Sequence, residues 1–311
     1  MSAMQLARTI EVTFYAVYLL ALLSLFKNKR YEQLFQFITC SLLGVSLELF
    51  SVNVFKTYHY YPHFFINLGD AAALKSCPLW VGLGWGLLMP LAIAAGKKIS
   101  KNPFMIGMVA YVIVIGWDLI WDVIAIRTSN GLWLWTGTPV TLDITKTALY
   151  GIPWMNYLGY SAAIVPLTMI TAFNDKKFSV QASNSKRLLF AFINYLEAII
   201  SFIVVVGIYA VINNFVSLFA IVAFLVLFVG TWLYALYRLF MTQQFNFFRN
   251  FDGAFLLQFG LSYLVSLLLG FYIGVFQDRP WLVIVHLLIM VLTLVFGVVS
   301  PKQKQAANFS L

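Results

Sequence analysis

Charged side chains are scarce. Asp, Glu, Lys and Arg make up 10% of the 311 residues, against about 25% in a soluble globular domain, and a mean hydropathy of +0.88 excludes a water-soluble fold. Cysteine is nearly missing: Cys40 and Cys77 alone make no disulfide framework. Histidine is equally sparse. His59 and His63 have the i, i+4 spacing of two metal ligands, but Pro62 opposes a regular helix between them and no third ligand accompanies them. No metal site is expected, and His286, alone in an apolar run, reads as a hydrogen-bonded packing residue. There is no Gly-rich phosphate loop and no serine nucleophile elbow. Asp118 and Asp122 are the nearest thing to a diphosphate–magnesium pair, yet no basic cluster stands by to hold phosphates, which disfavours a prenyltransferase.

Apolar residues are abundant, at 62% of the chain. Runs long enough to cross a bilayer, which takes roughly 20 residues, follow one another at 8–26, 34–55, 78–95, 104–124, 149–172, 188–211, 215–237, 254–276 and 281–299. The expected fold is an all-α polytopic transmembrane bundle of about nine spans. The run from Ile10 to Phe26 reads as a retained helix and not as a signal peptide. Ile212-Asn213-Asn214 reads as a tight hairpin between the sixth and seventh spans, and Pro280 as the start of the ninth. A polar linker, 174–187, divides a five-helix half (1–173) from a blander four-helix half (188–311) within one membrane unit.

The net charge of +9 does not point to nucleic acid, because the basic residues sit in short loops between spans. Most of them fall in the loops after spans one, three, five and seven and in the C-terminal tail. The positive-inside rule makes those segments cytoplasmic, with the N-terminus outside, in a cytoplasmic (inner) membrane. The two long loops, 56–77 and 125–148, then lie outside and belong to the first half.

Ionisable groups inside a bilayer are costly, so each is a candidate for function. Glu11, Glu48, Asp118, Asp122 and Glu197 stand out. Glu11 is close enough to the outer interface to need no special role, and Glu197 suits a polar contact between helices. Glu48, Asp118 and Asn156 each lie six or seven residues from the outer end of a span, about 10 Å deep by helical rise. Asp118 and Asp122 share a helix face, with Trp117 and Trp121 beside them. No base lies near within the spans. At least one acid is expected to hold its proton, since burial and a neighbouring carboxylate both disfavour the charged form. Seven tryptophans, from Trp80 to Trp154, fall in the same half. Some suit an interfacial belt, while others could line a pocket and shield a carbocation through their π faces.

In order along the chain come Glu48, Tyr58-His59-Tyr60, Pro78-Leu79-Trp80, Trp117-Asp118 with Trp121-Asp122, Gly131-Leu132-Trp133-Leu134-Trp135, and Tyr150-Gly151-Ile152-Pro153-Trp154-Met155-Asn156-Tyr157-Leu158-Gly159-Tyr160. This series resembles the membrane-bound carotenoid biosynthesis hydratases, the γ-carotene 1′,2′-hydratase and bisanhydrobacterioruberin hydratase group, over residues 40–172. Val123 stands where that family usually has Pro, and 53–57 departs from its Gly-Phe-Pro-Phe-Gly-like run. Those departures bear on the substrate more than on the reaction.

The resemblance implies addition of water to the terminal isoprenoid double bond of a long apolar polyene. Asp118 would protonate the alkene, and Trp117, Trp121 or Trp154 would shield the tertiary cation. Glu48 or Asp122 would deprotonate water, with Asn156 positioning a partner. Tyr58, Tyr60, Trp80, Trp133 and Trp135 complete the expected substrate site, and no cofactor is required. A membrane terpene or polyene cyclase would begin with the same protonation but exclude water. A transporter or scaffold would need a continuous polar path, whereas the polar residues here gather towards one side of the bilayer.

Overall fold

The computed structural model describes residues 3–128, 131–177, 183–245 and 252–301. Part of the 174–187 linker (178–182) and the tail beyond 301 lie outside the described residues. The fold is a bundle of long apolar helices: α1 (Ala3–Lys27), α2 (Tyr31–Phe50), α3 (Leu79–Ile99), α4 (Pro103–Ala125), α5 (Trp154–Lys177), α6 (Asn184–Phe215), α7 (Phe219–Thr242) and α8 (Gly253–Tyr272). The short α9 (Val275–Asp278) and then α10 (Trp281–Leu294) follow, the latter continued by a 3-10 turn. The nine spans map onto α1–α8 and α10, and the molecule is an all-α polytopic membrane protein. Among the described residues, seven of these helices are long and apolar enough to cross a bilayer unaided. Trp281–Gly297 is shorter, and α5 is diluted by Asn156, Tyr157, Tyr160 and Asn174, so nine is an approximate count.

Helix α4 sits at the centre. It opens at an Asn102 cap, whose Oδ1 accepts from the amides of Phe104 (2.9 Å) and Met105 (3.4 Å), with Pro103 in the first turn. Every residue from Ile106 to Ala125 is buried. An all-round apolar helix is stable only where neighbours cover every side, and α3, α5, α7, α8 and α10 do so here. Asp118 and Asp122 therefore stand on the most enclosed helix of the bundle.

Two glycines set the crossing of α2 and α3. A Cβ on Gly44 would strike the Gly82 carbonyl and Trp85, and one on Gly82 would strike Val45. The bare backbones let the helices meet closely, and one turn beyond Gly44 the carboxylate of Glu48 reaches Trp85. Helix α2 then loosens into a π-helical turn, Ser51–Phe55, which ends at left-handed Lys56. Such turns are frequent at functional sites.

The two long loops form a cap with more strand than the sequence suggested. Strand β1 (Tyr58–Tyr60) pairs with β4 (Trp133–Trp135), aligning Tyr58 with Trp135 and Tyr60 with Trp133. Strands β2 (Asn67–Asp70) and β3 (Lys75–Pro78) form a hairpin, as do β5 (Ala148–Leu149) and β6 (Ile152–Pro153) around Tyr150 and Gly151, both at positive φ. Strands β7 (Gln243–Phe245) and β8 (Val299–Pro301) pair separately.

Glu11 requires a correction. It is fully buried within the protein and has a structural role. Its carboxylate accepts from the amides of Phe65 (2.6 Å) and Ile66 (3.0 Å) and from the Tyr15 phenol (3.0 Å), fastening the cap to α1. The hairpin at 212–214 is also corrected: α6 continues through Asn213 and Asn214 to Phe215, and the turn lies at 216–218. Glu197 receives the Asn174 amide at 3.1 Å, a polar contact between α5 and α6. His286 is buried with Nε2 2.9 Å from the Tyr263 carbonyl, which makes it a packing residue.

Candidate active site

A cavity of about 680 Å³ lies beneath the β1–β4 cap, within the range of small-molecule sites. Helices α2 to α6 and the π turn wall it, and α1 contributes Phe14. Glu48, Asp118 and Asp122 all line it, each less than a tenth exposed.

Glu48 is caged by donors. Its Oε2 accepts the phenols of Tyr58 (2.5 Å) and Tyr60 (2.6 Å), and its Oε1 accepts the Trp85 indole N–H at 3.2 Å. The pairing of β1 with β4 aims both tyrosines at one oxygen: Tyr58 packs edge-on to Trp135 at 4.7 Å and Tyr60 edge-on to Trp133 at 5.7 Å. Burial first, and then the charge of Glu48, push both phenols well above the usual tyrosine range, so they remain donors. Burial opposes ionisation of this acid, and the three donors around it favour it.

The aspartates are arranged differently. Asn156 Nδ2 donates to Asp122 Oδ2 at 2.6 Å, joining α5 to α4. Asp118 interacts with the carboxyl of Asp122 and the phenol of Tyr160, yet its buried Oδ2 has no hydrogen-bond partner. Two carboxyls in contact inside an apolar bundle are most stable sharing one proton. Trp117 and Trp121 stack beside them, with centroids 5.4 Å apart and planes at 17°. The Trp117 N–H is held from α8, by the Ser266 hydroxyl at 3.0 Å and the Ser262 carbonyl at 3.1 Å.

Of the residues singled out in the sequence, the three acids, Asn156, Tyr58, Tyr60, Trp80, Trp117, Trp121, Trp133 and Trp135 line this one cavity. Trp154 does not. Its indole donates to the Thr145 carbonyl at 3.0 Å and its ring packs on Tyr157 and Phe224, so it braces the loop before α5. Trp85, one of the seven tryptophans, and Tyr160, the last residue of the final motif, also line the cavity although neither was assigned to the site; Tyr160 falls one turn after Asn156 and so shares its face. The wall from α6 is the larger surprise. Phe202, Val206, Tyr209, Asn213 and Asn214 come from the half that looked bland.

Among the described residues no three His, Cys, Asp or Glu side chains converge to hold a metal ion. His63 stacks on Tyr61, with centroids 5.6 Å apart, and His59 packs edge-on to the same ring.

Fold and cavity together define a polytopic helical membrane protein that encloses an acidic, aromatic-walled chamber under a loop cap. Compared with family models, with curated proteins and with solved structures, the chain matches none.

Proposed function

We propose that this protein adds water to a terminal isoprenoid double bond of a long apolar polyene, drawn from the bilayer into the chamber. The observation that carries the reading is Asp118 Oδ2, buried, facing no partner and placed in a cavity beside a stacked indole pair. A carboxylic acid with one free oxygen can deliver its proton to an alkene, and the tertiary cation that forms is stabilised by adjacent π faces.

The proton cycle balances. Asp118 protonates the terminal carbon, the π electrons forming the new C–H bond and leaving a tertiary cation. Water then forms the C–O bond, and its surplus proton passes to the Asp122 carboxylate. Exchange within the Asp118–Asp122 pair restores the starting state, so the net change is alkene plus water to tertiary alcohol. Asn156 holds Asp122 in line for this step. Glu48 is poorly suited to deprotonating water, because three donors already occupy its oxygens. Its part is electrostatic, a fixed negative charge facing the developing cation. The chain's own acids complete the cycle without a cofactor.

Cyclisation would begin with the same protonation but requires water to be kept out. The chamber wall carries Thr57, Thr136, Thr138, Asn213 and Asn214, which suits water entry and favours hydration. In this reading the cap faces outward and the basic turns between α1 and α2 and between α3 and α4 face the cytoplasm, following the loop charges. The deciding experiment is expression in cells that supply acyclic and monocyclic polyenes, with water enriched in oxygen-18. A product heavier by one labelled water supports hydration. An isomer without the label is cyclisation, and an unchanged pigment profile with every polyene supplied argues against both.

A further inference from the structure

Among the described residues no ion pair reaches the carboxyl groups of the chamber. Three carboxyl groups line it, and the ion pairs formed among the described residues join other partners: Lys98 with Asp252, Arg187 with Glu32, and Arg279 with Asp143. Among the described residues Lys56 is the one basic residue on the wall, and it is exposed at the end of the π turn. Glu48 has three donors on its two oxygens, a geometry that suits a carboxylate whose lone pairs are already engaged. Such a carboxylate attracts a cation yet resists forming a bond to it. Asp118 adds an oxygen that is buried and without a partner on the same cavity.

The walls around these groups are ring faces. Trp117 stacks with Trp121, and Trp85 stacks with Tyr160 at 4.9 Å and 21°. A fixed anion, π faces and an apolar chamber are the elements that recognise a weakly hydrated organic cation. A metal ion is poorly served, because among the described residues no three acid, His or Cys side chains converge on one point and the π faces and indole N–H groups offer it no lone pairs.

We propose that the chamber is a binding site for tertiary or quaternary ammonium groups carried on a long apolar chain, with Glu48 as the counter-ion. The inference rests on the hydration reading only in that a tertiary carbocation would be the natural occupant; a protonated dimethylalkylamine has the same charge and nearly the same size, with a tetrahedral nitrogen in place of the planar carbon. Such amines would bind here whether or not water is added.

The test uses the full-length protein in non-ionic detergent, titrated with N,N-dimethyldodecylamine. Its neutral isostere 2-methyltetradecane and the anion dodecanoate serve as comparisons, and indole fluorescence and thermal midpoint are the readouts. The amine should bind at least roughly tenfold tighter than the neutral chain, as expected for a desolvated cation–π contact beside a carboxylate, and dodecanoate should not compete. Glu48→Gln should bring amine and neutral chain to within about twofold. Should that variant fail to fold, Tyr58→Phe with Tyr60→Phe is the substitute, and the same preference should shrink. Asp118→Asn should keep the amine preference, because Glu48 is intact, while losing any product. Equal binding of amine and neutral chain by the wild type overturns the cation site, as does a preference that persists in folded Glu48→Gln. Product formation without amine selectivity would leave hydration standing and remove the cation site. Glu48-dependent amine binding without labelled product would do the reverse.

Discussion

Trp85 and Tyr160 stack face to face, 4.9 Å between centroids, and in doing so connect Glu48 to Asp118. The Trp85 N–H holds Glu48, and the Tyr160 phenol meets Asp118. Acids from α2 and α4 are thus set in one chamber through rings from α3 and α5. One is saturated with donors and the other keeps a free oxygen. In the proposed mechanism that difference separates a fixed charge from a transferable proton.

The cage around Glu48 gives the first prediction. Tyr58→Phe and Tyr60→Phe each remove one donor to a charged acceptor, a change of about 1.5–3 kcal/mol. Product formation should fall roughly 10- to 100-fold in each at unchanged protein abundance. Because burial and Glu48 hold both phenols protonated, the wild-type rate should not decline from neutral to mildly alkaline pH through their ionisation. A pH–rate profile in membranes checks this, and a steep alkaline loss abolished by Tyr58→Phe would contradict it.

A second prediction concerns the α2–α3 crossing. Gly44→Leu places a side chain against the Gly82 backbone and Trp85. Overpacking of this kind costs about 1–3 kcal/mol, occasionally more. The thermal midpoint in detergent should drop and Trp85 should lose its contact with Glu48. An unchanged midpoint with full activity would show that the close approach is not needed.

Trp117 tests whether the second half supports the site. Its indole is anchored on α8 by Ser266 and Ser262. Trp117→Phe keeps a ring but loses both bonds, and should retain more product than Trp117→Leu, which removes the π face. Ser266→Ala should cost only about 1 kcal/mol, since the Ser262 carbonyl remains. Equal rates for Trp117→Phe and Trp117→Leu would mean that the ring face plays no part.

Much of the chamber was legible because charge inside a bilayer is costly. Glu48, Asp118 and Asp122 stand out against apolar neighbours, and the i, i+4 spacing puts the aspartates on one face. Elsewhere the signal was missing. Strands of three residues, such as Tyr58–Tyr60, are too short for alternation to show. Phe202, Val206 and Tyr209 are spaced like any apolar helix stripe, and nothing in it says that it faces a cavity. Asn213 and Asn214 looked like a turn because Asn favours turns, yet the helix runs one residue further to Phe215. Glu11 was misread because depth alone does not reveal a loop that folds back to offer its amides. Trp154 was misread because composition does not say which way an indole points.

Metal independence is a further expectation. His59 and His63 pack against the Tyr61 ring with no third ligand converging on them among the described residues, and the proposed proton cycle uses carboxyl groups alone. Treatment of membranes with a strong chelator should leave the rate unchanged. Loss of activity restored by one added divalent ion would refute it.

The central claim is that Asp118 donates the proton. Asp118→Asn keeps nearly the same volume and removes the transferable proton. The direct measurement is oxygen-18 incorporation from labelled water into the polyene, comparing wild type with Asp118→Asn in membranes at matched protein abundance. Labelled product should fall at least roughly 10²-fold in the variant, the low end for loss of a general acid, with Asp122→Asn impaired less. Labelled product from Asp118→Asn at the wild-type rate would contradict the account.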